Sequence, residues 1–242
     1  MKEEYSISSV EKALNMLRVF TPENHALSVA EINRQLGLSY ATSYRILSTL
    51  EANGFLYKNP TTNKYSLGLS VALLYENYVN PFPVREAARS FMADVMRQTS
   101  ETAILYAVKS VKNNSRVCIE RVESNQRLRT VIKIGDEFVL TQGAGGLPLA
   151  AFLSPEEQRY LLKLDPTLTQ ERIDEIRTQG YVINYGGRVA GITGISVPVF
   201  DRKGKILASL GVTGASVRFN PADNLEIIRI LKENAQKIMD AL

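Results

Sequence analysis

The chain has one cysteine, one histidine and no tryptophan in 242 residues. A lone cysteine, Cys118, makes no internal disulfide, so a disulfide-stapled scaffold is excluded and a reducing cytoplasm is the expected setting. A lone histidine, His25, argues against a multi-histidine metal site. No apolar run approaches the roughly 18–20 residues that span a bilayer, and Met1-Lys2-Glu3-Glu4-Tyr5 lacks the apolar centre of a signal peptide. No membrane partner is expected. What remains, 45% hydrophobic and 22% charged residues, is the composition of an ordinary globular chain.

The formal net charge of +4 is a poor guide to function. Residues 1–80 hold seven basic and seven acidic side chains, and the whole excess lies beyond them. Between Ser28 and Gly68, however, four basic residues (Arg34, Arg45, Lys58, Lys64) face two acidic ones. Any claim of nucleic-acid binding must therefore rest on pattern rather than on net charge.

The pattern divides at Asn80-Pro81-Phe82-Pro83. Before it, Ile7, Val10, Leu14 and Leu17 recur at near-helical spacing, with capping chemistry in Ser8-Ser9-Val10-Glu11, and predict a helix over 8–20. Ser28-Val29-Ala30-Glu31 has the form of a capping box and opens a short helix ending near Gly37. Ser39 caps a third helix over 40–52, apolar at Ile46, Leu47 and Leu50 and polar at Tyr40, Thr42, Ser43 and Arg45. Two short strands, 55–57 and 64–67, flank the polar hairpin tip at 58–63. Helix, helix, tight turn, helix, hairpin is the order of a winged helix-turn-helix over 1–68. A linker helix over 69–82 follows, apolar enough at Leu73, Leu74 and Tyr78 to pack against a partner subunit.

Beyond the break, residues 83–242 read as an α+β domain. An amphipathic helix at 84–97 precedes strands at 103–109, 116–122, 128–134 and 138–141 and a small-residue turn, Gln142-Gly143-Ala144-Gly145-Gly146. A helix started by Ser154-Pro155-Glu156-Glu157, another within 169–180, strands at 181–184, 192–200 and 206–212, and a closing helix from 221 complete a meander with helices on one side.

A recognition helix presents polar side chains near its N-terminus to base edges and phosphates in the major groove. Ser39, Tyr40, Thr42, Ser43, Tyr44 and Arg45 supply them, and Lys58 and Lys64 of the wing can each neutralise a phosphate. Catalytic constellations are thin. Ser196 lies in a strand rather than a nucleophile elbow, and the glycines at 143–146 lack the Lys-Ser/Thr of a phosphate-binding loop. No cofactor and no enzymatic activity are expected. The residues alone leave a second use open, a sensory module or small-molecule enzyme whose helix-turn-helix contacts protein.

The ordered motifs resemble bacterial IclR-type transcriptional regulators. They include Ile7-Ser8-Ser9-Val10-Glu11-Lys12-Ala13-Leu14, Ala30-Glu31-Ile32 to Gly37-Leu38-Ser39, Ala41 to Leu47, and Lys64-Tyr65-Ser66-Leu67-Gly68. In the second half they include Arg121-Val122-Glu123-Ser124, Gly180-Tyr181, Ile195 to Gly204, and Leu210-Gly211-Val212-Thr213-Gly214 with Arg218. The resemblance implies a winged helix-turn-helix joined by a linker helix to a GAF-like effector-binding domain. It also implies palindromic double-stranded operators bound by homodimers or homotetramers, and control by small organic-acid or aromatic effectors.

The implied effector site gathers Arg129, Ala144, Gly145, Gly146, Asn184, Gly194, Gly211 and Thr213. Backbone N–H groups at 144–146 would meet a carboxylate, helped by the dipole of the helix after them. Four departures bear on that site and on the head. Asn33 stands where a small residue is usual and should point outward or find a partner. Leu147-Pro148 replaces a lysine, Gly194 a cysteine, and Gly211 and Thr213 a serine pair. A roomier, less polar pocket and a bulkier effector than glyoxylate or pyruvate are the expectation.

Overall fold

The computed structural model describes residues 7–21, 23–79, 83–187, 189–219 and 221–242. The chain forms two compact units, Met1–Pro81 and Phe82–Leu242. The Pro-rich break at 80–82 and the side chain of Tyr78 lie outside the described residues.

In the first unit, helix α1 (Ser8–Arg18) turns Met16 into the core and leaves Ile7, Val10 and Leu14 about half exposed or more. Its cap is Ile7, which offers no side-chain acceptor, so the capping expected of Ser8 and Ser9 is not used. Helix α2 (Val29–Leu36) opens on the full capping box: the Ser28 hydroxyl accepts from the Glu31 N–H, and the Glu31 carboxylate accepts from the Ser28 N–H at 2.7 Å. Gly37 ends it at φ 64°, a left-handed conformation that glycine adopts without Cβ strain. Ser39 then caps helix α3 (Tyr40–Ala52). Strands β1 (Leu56–Lys58) and β2 (Tyr65–Leu67) make the wing, and Leu27 adds a short third bridge to Tyr65. Ile32, Leu47, Leu56 and Tyr65 meet Met16 in one small core. Helix α4 (Leu69–Val79) follows at once.

The second unit is built on one antiparallel sheet of order β5-β4-β3-β8-β7-β6. Its elements in chain order are α5 (Pro83–Thr99), β3 (Thr102–Ser110), β4 (Ser115–Val122), β5 (Glu137–Val139), α6 (Gly143–Ala151), α7 (Pro155–Leu164), α8 (Gln170–Gln179), β6 (Val182–Tyr185), β7 (Ile192–Phe200), β8 (Ile206–Ala215) and α9 (Pro221–Asp240). Side chains alternate across the sheet, as the twofold period of a strand requires. Ala103, Leu105 and Ala107 face Val84, Ala88, Met92 and Val95 of α5 and Leu231 and Ile238 of α9. Ile104, Tyr106 and Cys118 face Leu149 of α6, Leu161 of α7 and Ile173 and Ile176 of α8.

Three expectations change here. Helices cover both faces of the sheet, because the strands are apolar on both sides. Residues 128–134 are not a strand but part of an irregular strap over 123–136, held by side chains: Arg121 donates to the Ile132 carbonyl and Arg218 to that of Leu128 (3.1 Å). The glycines at 143–146 are not a turn ahead of a helix but the first turn of α6 itself. Pro148 inside α6 supplies no N–H for the Ala144 carbonyl, and the Ser196 hydroxyl of β7 donates to that carbonyl instead.

Candidate DNA-reading face and effector cavity

The N-terminal turn of α3 presents an exposed aromatic pair and a cation. Tyr40 and Tyr44 are 65% and 50% exposed, and their rings stack at 6.3 Å with 16° between planes. Arg45 beside them is exposed. Ser39 and Thr42 hold each other: the Ser39 hydroxyl donates to Thr42 Oγ1 (2.9 Å) and accepts from the Thr42 N–H. On the wing, the Lys58 ammonium lies 5.7 Å from the centre of the Tyr65 ring. Lys64 lies 3.7 Å from Glu31, a carboxyl held below the usual range chiefly by the Ser28 backbone hydrogen bond, with Lys64 a smaller contributor.

Ser43 does not belong to this face. It is fully buried, because the turn of α3 that exposes Tyr40 and Tyr44 rotates position 43 toward the Leu47 side. Its hydroxyl has no hydrogen-bond partner among the described residues, nor has Asn33 Oδ1, which neither points outward nor finds a partner as expected. A buried unsatisfied hydroxyl is costly and alanine favours helix, so Ser43→Ala should stabilise the first unit by about 1 kcal/mol. DNA affinity should stay unchanged. A thermal melt and a binding titration check both, and a lower melting temperature would count against the buried placement.

The second unit holds a cavity of about 50 Å³ between the sheet and the N-terminus of α6. Of the expected residues, Ala144, Gly145, Asn184, Gly194, Gly211 and Thr213 line it. Gly146 turns instead toward the Leu140 carbonyl and the Arg116 guanidinium. Arg129 is also absent from the lining: it pairs with Glu123 at 3.4 Å on the surface. The strap contributes Ile132, and Thr130 reaches Thr213 hydroxyl to hydroxyl at 3.4 Å.

The pocket itself is small. Two residues that sequence reasoning passed over as plain strand positions, Tyr106 of β3 and Arg116 of β4, occupy its wall. Both are nearly buried, at 7% and 3% exposure. An aromatic and an arginine at positions otherwise reading as apolar strand were the available signal.

Cys118 is chemically quiet. Burial first, then the Asp136 charge, pushes its thiol up to about 12 despite Arg121 nearby. The folded chain therefore keeps this proton between about 9 and 12 while the unfolded chain loses it, so stability should fall as pH rises through that window. Iodoacetamide at pH 8 should label Cys118 readily in urea and scarcely in buffer. Equal labelling rates would contradict the burial. Among the described residues there is no cluster of three or more His, Cys, Asp or Glu side chains fit to hold a metal, and no helix long and apolar enough to cross a membrane.

The head and the cavity domain correspond to two family models. Residues 9–60 match the IclR helix-turn-helix domain, and residues 76–240 match the bacterial transcriptional regulator IclR C-terminal domain. The chain belongs to the IclR family of bacterial transcriptional regulators. It is 28% identical to the HTH-type transcriptional regulator KdgR of Escherichia coli, over 98% of this chain and 93% of that protein. It is 26% identical to the regulator XynR of the same organism, over 90% of each. In fold it is similar to an IclR homologue from Microbacterium hydrocarbonoxydans complexed with 4-hydroxybenzoate, with TM-score 0.79 and 21% identity over 97% of this chain and 98% of that one. The Thermotoga maritima IclR structure gives TM-score 0.75 and 24% identity over 97% and 98%. The IclR chain is thus a DNA-binding regulator of α+β architecture and not an enzyme.

Proposed function

We propose that residues 1–68 read a double-stranded operator, that 69–82 form the linker, and that 83–242 sense a small organic acid. The reading residues are Tyr40, Tyr44 and Arg45, with Ser39 and Thr42 at the helix cap and Lys58 and Lys64 on the wing. The observation that carries the sensing role is the cavity at the N-terminus of α6, lined by Ala144, Gly145, Asn184 and Thr213. A helix N-terminus favours a carboxylate.

Effector and DNA are coupled only if the acid binds one arrangement of the heads better than the other. Exposed Leu69, Leu73, Leu74 and Tyr75 on α4 support assembly into a homodimer or tetramer in the cytoplasm. The test is operator selection from random DNA, then fluorescence anisotropy with and without a panel of carboxylates. An operator affinity that shifts at least fivefold with one acid supports the proposal. Sequence-specific binding indifferent to every acid would leave a regulator without this sensing role.

A further inference from the structure

We infer that the stacked Tyr40–Tyr44 pair reads thymine, through the C5-methyl group that this base exposes in the major groove; this rests on reading residues 1–68 as the operator-binding head. Folding does not account for the pair. Neither ring is among the buried residues of the head's core. Two aromatic side chains four residues apart on a helix steady each other only slightly. Yet both rings stand largely in solvent and lie nearly parallel, in an offset stack that fixes where each ring face points.

The helix period decides what shares their face. Tyr40, Ala41, Tyr44, Arg45 and Ser48 are exposed, while Ser43 and Leu47 turn inward. At the margins of that face the Ser39 hydroxyl donates to Thr42 and the Thr49 hydroxyl to the Arg45 carbonyl (2.9 Å). The face therefore offers a base edge one guanidinium, the Ser48 hydroxyl, two phenols and a broad apolar surface. Apolar surface needs an apolar partner. In the major groove the base edges are hydrogen-bonding groups with one exception, the thymine methyl. A ring pressed on the amino group of adenine or cytosine strips water from it and returns no bond of equal strength. Against thymine, ring and methyl leave water together.

The wing frames the pair. Tyr65 of β2 lies close to it: burial first, then Glu51, Tyr44 and Tyr40, holds the Tyr65 phenol above its usual value. Lys58 stands over the same Tyr65 ring, so a cation suited to phosphate flanks the tyrosines on the wing side. Successive helix residues turn by about 100°, which puts Arg45 on the far side of Tyr44 from Tyr40. The rings thus lie between a backbone contact and a guanine contact, where base edges pass.

The experiment uses the full chain and the duplex selected from random DNA, read by fluorescence anisotropy. Each thymine in turn is replaced by deoxyuridine, which removes the methyl and keeps every hydrogen-bonding group. At least one thymine per half-site should lose about fourfold in affinity, the contribution of one buried methyl. At that position 5-methylcytosine should bind about fourfold better than cytosine. Tyr40→Ala with Tyr44→Ala should bind the thymine and deoxyuridine duplexes alike. Tyr40→Phe and Tyr44→Phe should each keep the difference, because the ring and not the phenol makes the contact. Circular dichroism confirms the fold of each variant. Sequence-specific binding by the parent with no thymine sensitive to methyl loss overturns the inference without any variant, and leaves the head an operator reader. A fourfold difference that survives in the double alanine variant assigns the methyl to another residue and overturns it as well. Equal binding of selected and scrambled duplexes by the parent removes the operator-reading role itself.

Discussion

Replacing Arg218 by methionine is expected to cost the effector domain about 3 kcal/mol, seen as a lower urea midpoint. Its partner Glu101 has a side chain only 4% exposed, and Arg218 holds it bidentately, with Nη2 at 2.8 Å from Oε2. The Glu101 hydrogen bonds raise the Arg218 pKa further, so the guanidinium stays charged at every working pH. Taking away the cation leaves a carboxylate buried without its partner, and that desolvation exceeds what the pair itself contributes. The double variant Glu101→Gln, Arg218→Met removes both charges and should be more stable than Arg218→Met alone. A single variant as stable as the parent, or a double variant that loses more than the single, would refute the argument. The effect should reach function as well. Arg218 also donates to the Leu128 carbonyl, and the strap it fastens carries Thr130 and Ile132 to the cavity. Loosening that strap should weaken effector affinity along with stability.

What could be read from the sequence was local. Ser28 with Glu31, and Ser154 with Glu157, announce helix starts because the capping hydrogen bonds lie within four residues, and both boxes form. Strand-like apolar runs announced most of the sheet. What failed needed partners distant in sequence. The apolar alternation at 128–134 resembles a strand, yet its carbonyls are claimed by Arg121 and Arg218, so no ladder forms. Glycines at 143–146 suggest a turn, yet they open α6, where Tyr106 leaves no room for a Cβ at Gly145 and the Leu140 carbonyl and Arg116 leave none at Gly146. The pocket's size depended on the same two side chains, more than 25 residues upstream and on other strands. Ser43 failed for a subtler reason. On a helix of mixed polarity one position separates an exposed face from a buried one, and a serine gives no hydrophobic signal to decide it.

Removal of the Arg45 side chain by Arg45→Ala should weaken operator binding by about 1–3 kcal/mol per head and relax the preference at the contacted base pair. The expectation follows from what the head offers. Residues 1–80 have no net charge, so long-range attraction to DNA is weak and binding depends on a few placed groups. Of the polar residues along 39–45, Ser43 is buried, and Ser39 and Thr42 bond to each other. That leaves Tyr40, Tyr44 and Arg45, of which only arginine pairs bidentately with a guanine edge. Lys58→Ala should act differently, weakening all sequences alike and lowering the salt slope by about one unit. Lys64→Ala should do less than Lys58→Ala, since Glu31 at 3.7 Å already offsets part of its charge. Anisotropy titrations against selected and scrambled duplexes at several salt concentrations separate the three. If Arg45→Ala weakens both duplexes equally while the salt slope falls, Arg45 is a phosphate contact and base readout passes to the exposed tyrosines.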